Sequence, residues 1–216
     1  MKRVTLFCGH YGSGKTNVAV NCAAALRAQG KPVALADIDV VNPYFRSADS
    51  RRELEAQGIT VIALPFAGTN VDLPALPQEV YGLVQRRDVY AVLDVGGDDR
   101  GAYALGRYVP YIREEDDYEM LFVVNFYRPL TQDAESACAV LREIELAAGL
   151  PFTGIVNNSN LGEETTAETV LRTASLAEEL SAKAGIPVRF TSVKRELAFA
   201  MQREDLFPLK LQPKLF

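Results

Sequence analysis

Short apolar segments recur along the chain and alternate with stretches of helical periodicity. Several of these segments are apolar on both faces, which is typical of strands buried in a parallel sheet. Alternation of such strands with helices predicts an α/β fold, in which a mostly parallel β-sheet carries helices on both faces. Seven strands are predicted: Val4–Cys8, Pro32–Asp37, Thr60–Leu64, Tyr90–Asp94, Met120–Asn125, Phe152–Asn157 and Pro187–Thr191.

Helical patterns fill the intervals between these strands. An alanine-rich helix is predicted over Thr16–Ala28, and a helix with one apolar stripe over Thr131–Ala148. A capping box at Thr165–Glu168 predicts the start of another helix, which runs to about Gly185. The segment Phe66–Arg87 is rich in proline and glycine, so we expect a loop with one short helix there, a small insertion in the domain.

The composition is that of an ordinary soluble globular protein. The chain has 216 residues, of which 48% are hydrophobic and 24% charged, and we expect a single domain over residues 1–216. The net charge of −5 and the lack of a dense Lys/Arg block do not favour nucleic-acid binding. No apolar run approaches the roughly 20 residues that span a bilayer. Lys2 and Arg3 lead into a strand, so no signal peptide is expected.

The cysteines and the C-terminal segment add little chemistry. The three cysteines, Cys8, Cys22 and Cys138, lie far apart without a C-x-x-C pair, which favours buried thiols in a reducing cytoplasm. The C-terminal segment Leu206–Phe216 is apolar and basic, but its two prolines prevent a continuous amphipathic helix. We expect an extended arm that packs on the body of the protein or on a partner, and no membrane binding.

The clearest chemical signal is the segment Gly9–Thr16, with the sequence GHYGSGKT, which we call the phosphate loop. It fits the pattern G-x-x-x-x-G-K-[ST] and lies between a predicted strand and a predicted helix, the context that this motif requires. Backbone N–H groups of such a loop cradle phosphate at the positive end of the helix dipole. Lys15 is expected to contact the β- and γ-phosphates, and the Thr16 hydroxyl to bind Mg²⁺. The predicted nucleotide contacts of this region are Gly9, Gly12, Ser13, Gly14, Lys15, Thr16 and Asn17.

Carboxylates follow two further strands at the edge of the sheet where the phosphate loop is expected. Asp37 and Asp39 end the second predicted strand, and Asp94 ends the fourth. Carboxylates beside a phosphate loop hold Mg²⁺ and its waters or orient an attacking water. Gly96, which follows Asp94, is a candidate for a backbone N–H that contacts the γ-phosphate and moves when this phosphate leaves.

Base recognition is expected at the end of the sixth predicted strand, in the segment Asn157–Asn160. An asparagine amide such as that of Asn157 can pair with a nucleobase edge through its donor and acceptor. Many GTPases recognise guanine with N-K-x-D, but here the second and fourth positions are Asn158 and Asn160. Neither the lysine nor the carboxylate is present, which favours adenine over guanine.

Together these residues resemble the MinD/ParA-type P-loop ATPases, the deviant-Walker-A group of the SIMIBI class. The resemblance rests on the phosphate loop, on Asp37-Ile38-Asp39 followed by Asn42-Pro43, on Asp94-Val95-Gly96-Gly97 and on Asn157. It implies that Asp37 lies near the metal, that Asp39 positions the attacking water and that Asn157 contacts adenine. It also implies an ATP-driven, face-to-face homodimer.

One departure from the family concerns position 10. The family loop has a lysine there that reaches the nucleotide across the dimer, whereas this chain has His10 followed by Tyr11. A neutral imidazole is a poor substitute for a lysine that acts on the partner's nucleotide. The departure bears more heavily on hydrolysis activated by a partner subunit than on nucleotide binding. The C-terminal amphipathic helix of the Min branch and the cysteine pair of the metal-cluster carriers are missing too.

The leading hypothesis is a cytoplasmic Mg²⁺-ATP-binding protein that acts as a slow ATPase switch with a protein partner that the sequence does not identify. In this hypothesis Lys15 and Asp39 are catalytic, and Thr16, Asp37 and Asp94 hold the metal. An ATP-dependent small-molecule kinase or ligase, similar to dethiobiotin synthetase, is an alternative that needs a substrate pocket, for which Phe66–Arg87 and Gly97–Arg107 are candidates. A nucleotide-sensing module without hydrolysis is a third hypothesis, favoured by His10.

Overall fold

Eight parallel strands form one sheet in the computed structural model, which describes residues 1–39, 48–63, 78–97, 99–114, 117–201 and 203–211. The strand order is β3-β2-β4-β1-β5-β6-β7-β8, and every neighbouring pair is parallel. The strands are β1 (Val4–Cys8), β2 (Val33–Ile38), β3 (Ile59–Ala63), β4 (Tyr90–Val95), β5 (Tyr118–Val124), β6 (Gly154–Asn157), β7 (Val188–Lys194) and β8 (Leu206–Leu209).

Helices cover both faces of the sheet, as the sequence predicts. They are α1 (Lys15–Ala28), α2 (Ala48–Ala56), α3 (Gln78–Gln85), α4 (Asp99–Gly106), α5 (Val109–Glu114), α6 (Ala134–Ala148), α7 (Ala167–Arg172), α8 (Ala174–Ala184) and α9 (Arg195–Met201). Alternate residues of β1 serve two cores: Leu6 packs in the core with α3, α6 and α8, and Phe7 in the core with α1 and α2. This two-sided burial explains why the strands are apolar on both faces.

The predicted α/β class is confirmed, and each of the seven predicted strands is present with its ends shifted by at most three residues. Leu64, predicted to end the third strand, and residues 66–77 of the predicted insertion lie outside the described residues. The predicted C-terminal arm forms β8, which pairs with β7 and adds an eighth strand to the sheet. The sequence predicted an extended arm there but no strand, and β8 is an edge strand, where a proline such as Pro208 is tolerated.

Two predicted helix starts are displaced by local capping. The α6 helix begins at Ala134 because the Asp133 side chain accepts a hydrogen bond from the Ser136 amide at 2.7 Å, after a 3₁₀ turn over Pro129–Thr131. The predicted capping box at Thr165–Glu168 is shifted by one residue: Thr166 caps α7 together with Thr169. The helix predicted from there to Gly185 is divided at Thr173 into α7 and α8.

The strand order positions the functional site. Because β4 lies between β2 and β1 and all three strands are parallel, their carboxyl ends meet at one edge of the sheet. In parallel α/β sheets ligands bind in the crevice at this edge. Among the described residues, no helix combines the length and the apolar character needed to cross a membrane.

Candidate functional site

The phosphate loop connects the end of β1 to the start of α1. Gly12 and Gly14 have φ angles of 79° and 83°, in the left-handed region that favours glycine. A Cβ atom on Gly9 would collide with the Val123 carbonyl oxygen of β5, so this position also requires glycine. These constraints make the loop a compact turn at a helix N-terminus, a site suited to an anion.

The Lys15 ammonium lies inside the site rather than in solvent. Its Nζ atom is 2.7 Å from Asp39 Oδ2, and the two side chains are only 10% and 4% exposed. Burial by itself would lower the pKa of Lys15, but the nearby carboxylates of Asp94 and Asp39 outweigh burial and raise it. Lys15 is therefore held as a cation that can exchange Asp39 for a bound phosphate.

Thr16 and Asp94 form a second pair beside this cation. The Thr16 hydroxyl donates a hydrogen bond of 2.6 Å to Asp94 Oδ2, while the buried Asp94 Oδ1 has no partner among the described residues. Burial raises the pKa of Asp94 to about 6, although Lys15 and the Thr16 hydrogen bond oppose the rise. A buried carboxylate oxygen without a partner is costly unless a ligand completes the site.

The two carboxylates after β2 have different surroundings. Asp37 is fully buried at the β2 position that pairs in register with Asp94 of β4, and its Oδ1 accepts a hydrogen bond from the Asp39 amide at 3.1 Å. Asp37 thereby orients the turn that carries Asp39 to Lys15. Within the described ranges, no three His, Cys, Asp or Glu side chains are grouped so that they could hold a metal by themselves.

The segment after β4 packs directly on the phosphate loop. A Cβ atom on Gly97 would meet the Gly9 carbonyl oxygen and would lie 2.9 Å from the backbone of His10, so only glycine fits there. Gly96 packs equally closely on Gly101 of α4, because a Cβ atom on Gly96 would lie 2.8 Å from the Gly101 Cα. Close backbone contacts thus connect Gly97 with the phosphate loop and Gly96 with α4.

His10 and Tyr11 lie at the surface of the phosphate loop. His10 is partly buried, and its Nδ1 atom lies 3.2 Å from the Tyr11 carbonyl oxygen. The Tyr11 side chain is 69% exposed. Position 11 therefore places an aromatic ring in solvent beside the phosphate loop.

A cavity of about 750 Å³ opens next to the phosphate loop, on the side of β6 and β7. Gly12, Gly14 and Asn17 form its wall at the loop and the start of α1. The opposite parts of the wall come from residues 158–163 after β6, residues 192–194 of β7 and the C-terminal Leu209 and Leu211. A cavity of this size and position can hold a nucleoside next to phosphates bound in the loop.

Asn157, predicted to contact the base, does not line this cavity. Its side chain is fully buried, its Nδ2 donates to the Thr173 hydroxyl at 3.1 Å, and its Oδ1 accepts from the Ser159 amide and hydroxyl at 3.1 and 2.6 Å. Donor and acceptor are both used within the protein, because the last residue of β6 points into the layer between the sheet and the helices. The residues after it, from Asn158 to Asn160, line the cavity, and the contact of Asn157 with the base stays a prediction.

Asn158 joins three parts of the site. Its Nδ2 donates to the Ser13 carbonyl oxygen of the phosphate loop at 2.7 Å, and its Oδ1 accepts from the Ser192 hydroxyl of β7 at 2.7 Å. Near it, Lys194 of β7 forms an ion pair with Glu163 at 2.8 Å along the cavity wall. The polar residues after β6 indicate a functional segment that includes Asn158. Only the tertiary structure shows that Asn158 is the asparagine that bonds to the phosphate loop.

The C-terminal segment contributes to the same wall. The Asn21 side chain of α1 forms two hydrogen bonds with the backbone of Lys210, from Nδ2 to the carbonyl oxygen at 3.0 Å and from the amide to Oδ1 at 2.7 Å. These bonds hold Leu209 and Leu211 against the cavity. Sequence reasoning missed this role, because nothing in the local pattern connects residue 210 with residue 21.

Solved structures with the same fold include a signal recognition particle protein and FtsY proteins. The signal recognition particle receptor FtsY from Elizabethkingia anophelis has a TM-score of 0.57 at 18% identity, over 88% of this chain and 58% of that one. The cell division protein FtsY from Thermotoga maritima has a TM-score of 0.55 at 22% identity, over 88% of this chain and 61% of that one. The signal recognition particle 54 kDa protein from Aeropyrum pernix, in complex with GDP, has a TM-score of 0.55 at 16% identity, over 87% and 40%.

The chain therefore matches less than two thirds of the length of each of these proteins, and the likeness establishes the fold alone. A comparison with curated protein sequences gives no match. The sequence model of the CobQ/CobB/MinD/ParA nucleotide-binding domain matches residues 6–189, which include the phosphate loop, Asp39, Asp94 and Asn157. The chain belongs to the CobQ/CobB/MinD/ParA nucleotide-binding domain family.

Proposed function

We propose that this protein binds Mg²⁺-ATP and hydrolyses it slowly, as a nucleotide-dependent switch. The observation that carries the proposal is the pairing of Lys15 with Asp39 and of Thr16 with Asp94 at the start of α1. Both pairs place side chains of the kind that phosphoryl transfer uses at the N-terminus of one helix, beside a cavity that suits a nucleoside.

The residues present fit a Mg²⁺ ion. Thr16 and Asp94 offer hard oxygen ligands, and the unpartnered Oδ1 of Asp94 gives one of them an open position. Thr16 and Asp94 would hold the ion, with Asp37 supporting the β2 turn beside them. Mg²⁺ bound there would neutralise charge on the β- and γ-phosphates.

Asp39 would act after nucleotide binding has changed its partner. In the free protein the Asp39 carboxylate forms an ion pair with Lys15. When phosphate takes over Lys15, the Asp39 carboxylate is released and can accept a hydrogen bond from an attacking water near the γ-phosphate. Lys15 would stabilise the charge of the transferring phosphoryl group, so both residues would be catalytic.

The switch would run through the segment after β4. Gly97 touches the phosphate loop and Gly96 touches Gly101 of α4, so loss of the γ-phosphate would shift α4 by way of these contacts. An exposed aromatic residue of α4, Tyr103, is 76% exposed and could report this shift to a protein partner.

Preference for ATP over GTP rests on the wall of the cavity. Asn158, Ser159 and Asn160 line this wall, and the N-K-x-D lysine and carboxylate are missing from their segment. GTP is a second candidate, because Glu163 places a carboxylate in the wall and the solved structures of similar fold include one with GDP. Glu163 is already paired with Lys194, which favours adenine.

An ATP-dependent homodimer, an unidentified protein partner and a cytoplasmic location belong to the same proposal. Support for the dimer comes from the family to which the chain belongs, and the exposed Tyr11 lies on the same edge of the sheet. Asn42 and Pro43, which belong to the motif that carries the resemblance, lie outside the described residues. The kinase or ligase alternative depends largely on residues 66–77, which lie outside them too.

Titration calorimetry of the wild type with Mg²⁺-ATP and Mg²⁺-GTP, combined with phosphate release and light scattering, tests the proposal. We expect ATP to bind more tightly than GTP and slow phosphate release that needs no added acceptor. Turnover only in the presence of a small-molecule acceptor would replace the switch by a kinase or ligase. Failure to bind either nucleotide would overturn the proposal as a whole.

A further inference from the structure

Arg128 lies in the wall of the nucleoside cavity, and sequence reasoning assigns no role to it. It follows β5, and its Nε atom donates a hydrogen bond of 3.0 Å to the Gly12 carbonyl oxygen of the phosphate loop. In the part of the chain that the structure describes, this carbonyl is the only hydrogen-bond acceptor of the guanidinium. The side chain is otherwise exposed toward the cavity that it lines.

The backbone that carries Arg128 is held firmly. The Arg128 amide donates to the Asn125 carbonyl oxygen at 3.1 Å, and the same oxygen accepts from the Thr131 hydroxyl at 2.7 Å. Asn125 is fully buried, and the Tyr127 hydroxyl donates to the Thr169 carbonyl oxygen at 2.7 Å. Arg128 therefore projects from a fixed turn, which lowers the entropy lost when a ligand contacts it.

The bond to Gly12 also indicates which part of a nucleotide the guanidinium would meet. Backbone N–H groups of the phosphate loop face the phosphates, so the carbonyl oxygens of the same residues face away from them. Two successive carbonyls are held from this outer side, Gly12 by Arg128 and Ser13 by Asn158. A Cβ atom on Gly12 would lie 3.3 Å from the Arg128 Nε, so the guanidinium rests on the loop at the side of the nucleoside cavity.

We propose that the guanidinium of Arg128 stacks on the face of the purine ring, as a base-contacting residue of the nucleotide site. A planar cation on an aromatic face is favourable and tolerates different purines. Arg128 supplies a cation beside the base, although the polar segment after β6 lacks the lysine of N-K-x-D. The inference rests on the proposed nucleotide binding and deepens it.

The test compares nucleotides with a ligand that has phosphates but no base. Three ligands are titrated into the wild type, Arg128→Met and Arg128→Lys. They are Mg²⁺-tripolyphosphate, UTP, and whichever of ATP and GTP the wild type binds more tightly. Arg128→Met should weaken purine nucleotide binding about tenfold, the size expected of a desolvated cation on an aromatic face. Tripolyphosphate binding should change less than about twofold, and the preference for the purine nucleotide over UTP should shrink, because only stacking is lost. The purine nucleotide affinity of Arg128→Lys should lie between those of the wild type and Arg128→Met, because lysine keeps the charge but lacks the planar group.

A matched control is Arg113→Met. Arg113 is also exposed and donates to a backbone carbonyl, that of Gly149 at 2.7 Å, but it belongs to α5 and does not line the cavity. This variant should leave the binding of all three ligands unchanged. If Arg128→Met weakens the binding of tripolyphosphate and of the purine nucleotide equally, Arg128 supports the phosphate loop, and the stacking proposal is overturned. Unchanged purine nucleotide binding in that variant would overturn it as well, whereas a wild type that binds no nucleotide would overturn the proposed function first.

Discussion

Replacing Asp39 by asparagine should separate binding from hydrolysis, because its carboxylate is paired with Lys15 in this structure and is proposed to contact the attacking water once nucleotide has bound. In the free protein its carboxylate forms a buried ion pair with Lys15 at 2.7 Å. Breaking a buried pair typically costs about 3–5 kcal/mol. Here we expect about 1–3 kcal/mol, since Asp94 and Asp37 still compensate the Lys15 charge.

Whereas the substitution should lower the stability of the free protein, it should not weaken nucleotide binding. Phosphate must displace Asp39 from Lys15, and a hydrogen bond between charged groups is worth about 1.5–3 kcal/mol. Loss of this competition should leave ATP affinity unchanged or increase it by up to about tenfold. The rate of hydrolysis should fall by a factor of about 10²–10⁴, because the lost carboxylate interacts with the attacking water mainly in the transition state.

Three measurements on one preparation decide the matter: calorimetric titration with Mg²⁺-ATP, single-turnover hydrolysis and thermal unfolding. The melting temperature of free Asp39→Asn should fall by several degrees, since about 1 kcal/mol corresponds to roughly 2–4 °C for a chain of this size. Asp88→Asn is a suitable control, because Asp88 forms an exposed ion pair with Arg86 and should leave all three measurements unchanged. If binding and turnover decline together, Asp39 is a metal or structural residue, and the reasoning fails.

The remaining predictions concern the cation, the base and the dimer. Lys15→Ala should abolish Mg²⁺-ATP binding while the circular dichroism stays native, and unchanged affinity in a folded variant would refute the phosphate role of Lys15. ATP should bind more tightly than GTP by about 1–3 kcal/mol, because guanine donors would lack an acceptor; competition binding that gives equal or tighter GTP affinity would show that Glu163 serves guanine. Light scattering of Asp39→Asn should detect a dimer with ATP but not with ADP, and His10→Ala should leave this dimer intact, since a neutral imidazole lacks the reach and charge of lysine. Loss of the dimer in His10→Ala would assign the role of the missing lysine to His10.

Much of the fold could be predicted because its signals are local. A strand buried on both faces must be apolar at each position, and a glycine loop between such a strand and a helix has few other uses. The strands that end in Cys8, Asp37 and Asp94 were therefore predictable, together with the edge of the sheet at which they meet. β8 was missed because its pairing with β7 depends on a sheet edge that only the assembled domain provides.

The sequence by itself determined the α/β class, the phosphate loop and the carboxylates around it, because each depends on residue type and spacing over short distances. Tertiary structure alone decided how those groups are paired: Lys15 with Asp39, and Thr16 with Asp94. It also decided that Asn158 rather than Asn157 faces the phosphate loop, and that Arg128 lies against Gly12. The physical reason is that a hydrogen bond between residues 24 to 145 positions apart is set by the packing of the elements that carry them, which leaves no trace in the local pattern of the chain.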